Sequence, residues 1–228
     1  MSKFTATHRP IFQRLRALSI STLAVAVLGL ASAASASATP VNLVTNGNFD
    51  ANNVGNGWSS FANGSVPGWT NTRNNDGIEI DHSAILGGAA YTGTTQSAEL
   101  NGGTWDTISQ TITGLTVGQT YVLSWAYGQR PGSGRQQADI TFGGNLVTSN
   151  FSSGGADFLT WTFNTFNVVA TSTTEVLSFA AVAGLGNPSV GNEITAVSLT
   201  ASDVPEPASL LLLSTGLLGL GFARRKKA

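Results

Sequence analysis

The sequence predicts an all-β fold: a two-sheet antiparallel sandwich of jelly-roll type. Three observations carry that prediction. Short runs rich in Thr, Val, Ile and aromatic residues recur through the middle of the chain, Gly and Asn separate them, and helical periodicity is not evident between the two terminal segments. No segment recurs at a fixed interval, which argues against a β-helix or a propeller.

In chain order the candidate strands are Gly77–His82, Gln96–Asn101, Asp106–Thr113, Thr120–Tyr127, Gln137–Phe142, Phe158–Val169, Glu175–Ala183 and Glu193–Ala201. Asn46-Gly47, Asn56-Gly57, Asn63-Gly64 and Asn101-Gly102 supply residues that tolerate positive φ in tight turns. About eight or nine antiparallel strands without helices bury their apolar faces best as two packed sheets. Side-chain alternation then sorts inside from outside. Tyr121, Leu123, Trp125 and Tyr127 share one face, expected to be the core. Ala98 and Leu100 point inward, leaving Ser97, Glu99 and Asn101 on the opposite face. Gln110 shares the inward face of Ile108 and Ile112, so its amide needs partners: it is a structural network residue or the floor of a polar pocket.

Both ends carry targeting patterns. Lys3, Arg9, Arg14 and Arg16 precede an apolar stretch from Ala17 to Leu30, and Ala36-Ser37-Ala38 forms a small-residue cleavage site. Residues 1–38 are therefore expected to be a secretory signal peptide, a helix removed by signal peptidase to leave Thr39 at the mature start. At the other end Val204, Pro205, Glu206 and Pro207 precede an apolar run over residues 208–223 and the basic tail 224–227. Proline fixes φ and disfavours helix in the residue before it, so the Pro-Glu-Pro element is stiff and extended. The apolar run is a little short of the roughly 20 residues that span a bilayer comfortably, and the cations would hold its end at the cytoplasmic side. A plain tail anchor accounts for the run and the cations but gives no reason for Pro-Glu-Pro. The three parts together, residues 204–228, resemble the bacterial PEP-CTERM sorting signal. The resemblance implies processing by the membrane protease-transpeptidase exosortase, a hydrophobic helix that serves as a transient membrane anchor, and a destination at the cell surface or in the extracellular matrix of a bacterium.

The passenger, residues 39–203, has about 165 residues, enough for one domain and too few for two comfortable ones. The whole chain has a formal charge of −1, but the passenger has only Arg73, Arg130 and Arg135 against eleven carboxylates and no lysine. A polyanion would be repelled, which speaks against nucleic acid as a partner. Cysteine is absent, so stability comes from packing or a metal, and thiol catalysis is excluded.

Several passenger motifs recur in order: Asn42-Leu43-Val44-Thr45-Asn46-Gly47-Asn48-Phe49-Asp50, Val66-Pro67-Gly68-Trp69-Thr70, Gly77-Ile78-Glu79-Ile80, Ser97-Ala98-Glu99-Leu100-Asn101, Ile108-Ser109-Gln110-Thr111-Ile112, Gly118-Gln119-Thr120-Tyr121-Val122-Leu123-Ser124-Trp125 and, last, Val197-Ser198-Leu199. In this they resemble the galactose-binding-like jelly rolls of unknown function found in plant cell-wall and bacterial surface proteins. The likeness spans about Asn42 to Ala201 and implies non-catalytic association with extracellular polysaccharide. Related carbohydrate-binding jelly rolls hold a structural calcium with an acidic residue after the early Asn-Gly-x-Phe and an acidic pair before the final Val-x-Leu. Asp50 matches the first; Thr195-Ala196 stand in place of the pair, with Glu193 displaced by two residues. Asp50 and Glu193 with backbone carbonyls are the calcium ligands the resemblance leaves.

Sugar sites pair aromatic platforms with carboxylates, amides or arginine. Trp58, Trp69 and Trp105 fall in Gly- and Asn-rich stretches, Trp105 follows Glu99 and Asn101, and Arg130 lies in the Gly-rich segment Gly128–Gly134. These six are the candidate ligand-binding residues, with loop plugs over the sheet edges as the competing reading of Trp69 and Trp105. Glu79, His82 and Arg73 form a second cluster. Two other functions compete with a carbohydrate-binding module. One is a glycoside hydrolase using Glu79 and Glu99, which have outward parity on neighbouring candidate strands. The other is a structural biofilm-matrix protein without a defined pocket. A Gly-x-Ser-x-Gly elbow and a His-Glu-x-x-His motif are both missing, and His82 is the passenger's one histidine.

Overall fold

The computed structural model describes residues 40–73, 76–152 and 159–202. The expected signal peptide, residues 1–38, and the tail, residues 204–228, with the helices expected in each, lie outside the described residues. Among the described residues no helix is long and apolar enough to cross a membrane.

Eleven strands form the described fold: β1 (Trp58–Phe61), β2 (Thr70–Asn71), β3 (Ile78–His82), β4 (Gln96–Glu99), β5 (Thr107–Thr113), β6 (Thr120–Gln129), β7 (Gln136–Phe142), β8 (Asn145–Ser152), β9 (Thr160–Val169), β10 (Thr174–Ala181) and β11 (Asn192–Ala201). A 3-10 turn, Ser83–Ile85, follows β3. A six-stranded sheet runs β1-β3-β4-β11-β6-β9 and a five-stranded sheet runs β2-β5-β10-β7-β8, with antiparallel pairing throughout. The two sheets pack as a sandwich. Strands β1, β2 and β8 are additions to the eight expected from sequence. The signal for β8 was the Gly143-Gly144 pair at φ 57° and 78°, the conformation a two-residue hairpin turn needs between β7 and β8.

Alternation places the core as the parity argument requires. Ile78, Ile80, Ala98, Leu100, Leu123, Trp125 and Ile194 from the six-stranded sheet meet Ile108, Ile112, Ile140, Leu177 and Phe179 from the other. Trp125 sits stacked on Phe166 and edge-on to Phe179, and its indole N–H donates to Asn150 Oδ1 at 2.7 Å. Gln110 is a network residue rather than a pocket floor. Its Oε1 accepts from the Thr45 N–H at 2.7 Å and its Nε2 donates to the Thr45 carbonyl at 2.9 Å, tying the segment before β1 to β5. That segment also pairs with the last strand, through the Leu43 N–H to the Leu199 carbonyl at 2.8 Å.

Candidate functional site

The register of the six-stranded sheet aligns side chains of all six strands on its outer face, opposite the core-facing Ile78, Ile80, Ala98 and Ile194. Ser60, Glu79, Glu99, Glu193, Gly128 and Trp161 make one cross-strand row. Trp58, Asp81 and Ser97 make the adjacent row on β1, β3 and β4; Ala126 and Phe163 pair beyond it on β6 and β9. Three carboxylates thus stand directly opposite one another on three neighbouring strands, an arrangement that like charges disfavour. Gly128 leaves room for the Trp161 ring, which a Cβ there would meet at 2.8 Å.

Arg130, just past the end of β6, answers this charge. Its Nη1 lies 2.7 Å from Glu99 Oε2, 3.3 Å from Asp81 Oδ2 and 3.9 Å from Glu79 Oε1. The Gly191 N–H donates to the other Glu99 oxygen, and Ser97 Oγ donates to Glu193 Oε2 at 2.7 Å. Asp81, Glu99 and Glu193 are 0% exposed; the side chains of Glu79 and Arg130 keep 12% and 23% of their surface. Burial therefore dominates the acids' titration. It pushes Glu79 up to about 7 and Glu99 up to about 9, in both cases with repulsion from Asp81 next in importance. Burial also raises Asp81, and it raises Glu193 well above the usual carboxylate range with help from Asp81 and Glu99. For Arg130, burial acts downward, but Glu99 and Asp81 outweigh it and the guanidinium holds its proton more tightly.

Aromatic side chains rim this polar floor. Trp58, 59% exposed, stands opposite Asp81 at the β1 edge. At the β9 edge Tyr91 stacks on Phe163, ring centroids 6.0 Å apart and planes 8° from parallel, and meets Trp161 edge-on. The Trp161 indole N–H donates to the Ala89 carbonyl at 3.0 Å, holding the β3–β4 connection over this part of the sheet.

Of the six candidate ligand-binding residues, three meet on this face: Trp58, Glu99 and Arg130. Trp58 belongs to β1 rather than a loop. Trp69 is corrected to a core residue: 1% exposed, it packs between Phe49 and Phe179 with centroids at 5.3 and 6.0 Å, and its N–H donates to the Asn46 carbonyl. Trp105 is half-buried against the core, with its N–H on the Leu185 carbonyl at 2.8 Å, as the loop-plug reading has it. Asn101 is corrected to a structural residue: fully buried, it donates to the Asn187 carbonyl and accepts from the Asn192 backbone and side chain. The second cluster does not assemble. Glu79 faces Arg130, Arg73 donates to the Ala181 carbonyl, and His82 accepts from the Ala84 N–H to cap the 3-10 turn. Nor do the two calcium candidates share a partner. Asp50 is exposed and accepts from Thr95 Oγ1, whereas Glu193 faces Ser97, Asp81 and Glu99. Sequence reading missed Asp81, whose signal was its parity with Glu79 in Ile78-Glu79-Ile80-Asp81, and the rim aromatics Tyr91, Trp161 and Phe163.

Comparison with known proteins finds a family match at one end. Residues 203–227 match the PEP-CTERM protein-sorting motif, which marks the chain for export and sorting at a bacterial membrane. Halomucin of Haloquadratum walsbyi is 30% identical over 213 residues, covering 87% of this chain but 2% of that protein. The chain thus spans about 2% of the length of the curated relative it matches. Among solved structures, the Stig cyclase Fisc from Fischerella sp. TAU is 16% identical with a TM-score of 0.49, covering 73% of this chain and 100% of its own. A family 35 carbohydrate-binding module from an environmental isolate is 16% identical with a TM-score of 0.40, covering 63% and 98%. Its counterpart from Clostridium thermocellum is 15% identical with a TM-score of 0.36, covering 73% and 100%. At these scores nothing about the ligand or chemistry of this chain follows from the likeness.

Proposed function

We propose that this is an exported, exosortase-processed surface protein whose galactose-binding-like jelly roll binds extracellular polysaccharide without catalysis, through the outer face of the six-stranded sheet. The observation that supports it most is the exposed Trp58 ring in register with Asp81, beside the partly open Glu79 and Arg130. A flat apolar ring suits the C–H face of a sugar, and the charged heads suit its hydroxyls. The second aromatic group, Tyr91 with Phe163, extends the same face at its other edge and suits a chain of sugars rather than a single one.

Binding is tested by affinity electrophoresis of the purified chain through gels containing soluble polysaccharides. Retardation is expected, and Trp58→Ala weakens it. Absence of retardation across a broad glycan panel supports the structural matrix role instead. The hydrolase reading draws on Glu79 and Glu99, whose nearest carboxylate oxygens lie within 4.8 Å of each other. Against it, Glu99 is fully buried and bonded to Arg130 and Gly191. Release of reducing sugar that disappears in Glu99→Gln would support the hydrolase.

A further inference from the structure

If ionised together, the four outer-face acids would carry more negative charge than Arg130 balances. Four carboxylates gather around one guanidinium, and two of their oxygens, Asp81 Oδ1 and Glu193 Oε1, are buried without a hydrogen-bond partner among the described residues. Their close neighbours are other carboxylates, which accept hydrogen bonds and donate only when protonated. A buried, unpartnered carboxylate oxygen is costly, so each requires a proton or a cation.

The geometry favours a cation. One oxygen from each of Glu79, Asp81 and Glu99 lies within 4.8 Å of the others, and the Arg130 Nη1 reaches all three, so a positive charge already sits at their focus. The donors are all hard oxygens, without sulfur or imidazole, which suits calcium or magnesium rather than zinc or copper. Calcium accepts irregular sets of six to eight oxygens and mixed carboxylate modes, whereas magnesium demands near-ideal octahedral geometry. The partly exposed side chains of Glu79 and Arg130 leave an entry path from solvent.

We infer that Glu79, Asp81 and Glu99 form a calcium site on the outer face of the six-stranded sheet, backed by the buried Glu193, and that the ion takes the position the Arg130 guanidinium otherwise fills. This site is separate from the Asp50 end of the fold, and it stands whether or not a polysaccharide binds. Calcium replaces protons here, so its binding strengthens as pH rises and releases protons into solution.

The test uses the purified full chain in detergent, titrated with calcium chloride and, separately, magnesium chloride at pH 7.5 after removal of metal by chelation. Calorimetry in two buffers of different ionisation heat counts the protons released. The expected result is one calcium per chain with a dissociation constant between about 10⁻⁵ and 10⁻³ M, and weaker magnesium binding. Release of at least about one proton per ion is expected, with a Tm rise of about 5 °C or more at calcium ~100-fold above that constant. Asp81→Asn abolishes the response. Glu79→Gln, at the partly open rim where folding is least at risk, weakens it at least about tenfold, and Asp50→Asn leaves it intact. Failure of the wild-type chain to bind calcium at 10-millimolar order overturns the inference. So does an undiminished response in Glu79→Gln, or a response lost in Asp50→Asn alone.

Discussion

Removing calcium and raising the pH from 5 to 8 should destabilise this protein, opposite to the behaviour of one held by surface ion pairs. Glu99 keeps its proton up to about pH 9 in the folded chain, against 4.5 when unfolded. Between those values the folded state binds more protons than the unfolded one, so stability is lost as pH rises through this window. One group fully in this regime contributes about 1.4 kcal/mol per pH unit, a ceiling of about 4 kcal/mol from pH 5 to 8. Arg130, 2.7 Å away, and the shared protons of the neighbouring acids reduce that, and a fall of about 1–3 kcal/mol is expected. Glu79 acts in the same direction between 4.5 and about 7. The assay is urea unfolding followed by tryptophan fluorescence at pH 5, 6.5 and 8 in chelator. Glu99→Gln, a neutral near-isostere, should flatten the profile and be the more stable protein at pH 8. A wild-type stability that stays level or rises from pH 5 to 8 refutes the reasoning.

Three further outcomes follow from the packing. Trp69→Ala should cost about 3–5 kcal/mol in urea unfolding, because the indole fills the space between Phe49 and Phe179 at the sheet interface. Asn101→Ala should cost about 1–3 kcal/mol, since it takes the acceptor from the buried Asn192 backbone N–H and the nearer of two acceptors from its side-chain amide. Ala196→Gly should raise stability by about 0.5–1 kcal/mol: Ala196 sits at φ 52° in the irregularity between Thr195 and Ser198 of β11, a left-handed conformation that a Cβ disfavours, and a lowered urea midpoint would contradict this.

Period-two alternation was the most legible part of the fold. It put Leu123 and Trp125 inside, Glu79 and Glu99 outside, and it holds because a strand has no other way to present its side chains. The loop tryptophans were less legible. Trp58, Trp69 and Trp105 have similar neighbours in sequence, yet one stands exposed on β1, one is core and one is half-buried, because a loop side chain's direction depends on what the chain meets in space. Short edge elements such as β1 and β2 have too few residues for a periodic signal.

The sequence alone determines that the ends are a signal peptide pattern and a sorting motif, that the passenger is acidic and free of lysine and cysteine, and which residues of each central strand share a face. Those are properties of composition and of local stereochemistry. Tertiary structure decides that β11 lies between β4 and β6, which sets Glu193 beside Glu99 and brings its carboxylate to Ser97, 96 residues away in the chain. It also decides that Arg130 turns into that row. β3, β4 and β11 each carry one or two ordinary outward acids. Only sheet order stacks them into a buried, under-neutralised cluster, because electrostatic energy depends on distance in space and on exclusion of water, and neither is written in the spacing of residues along the chain.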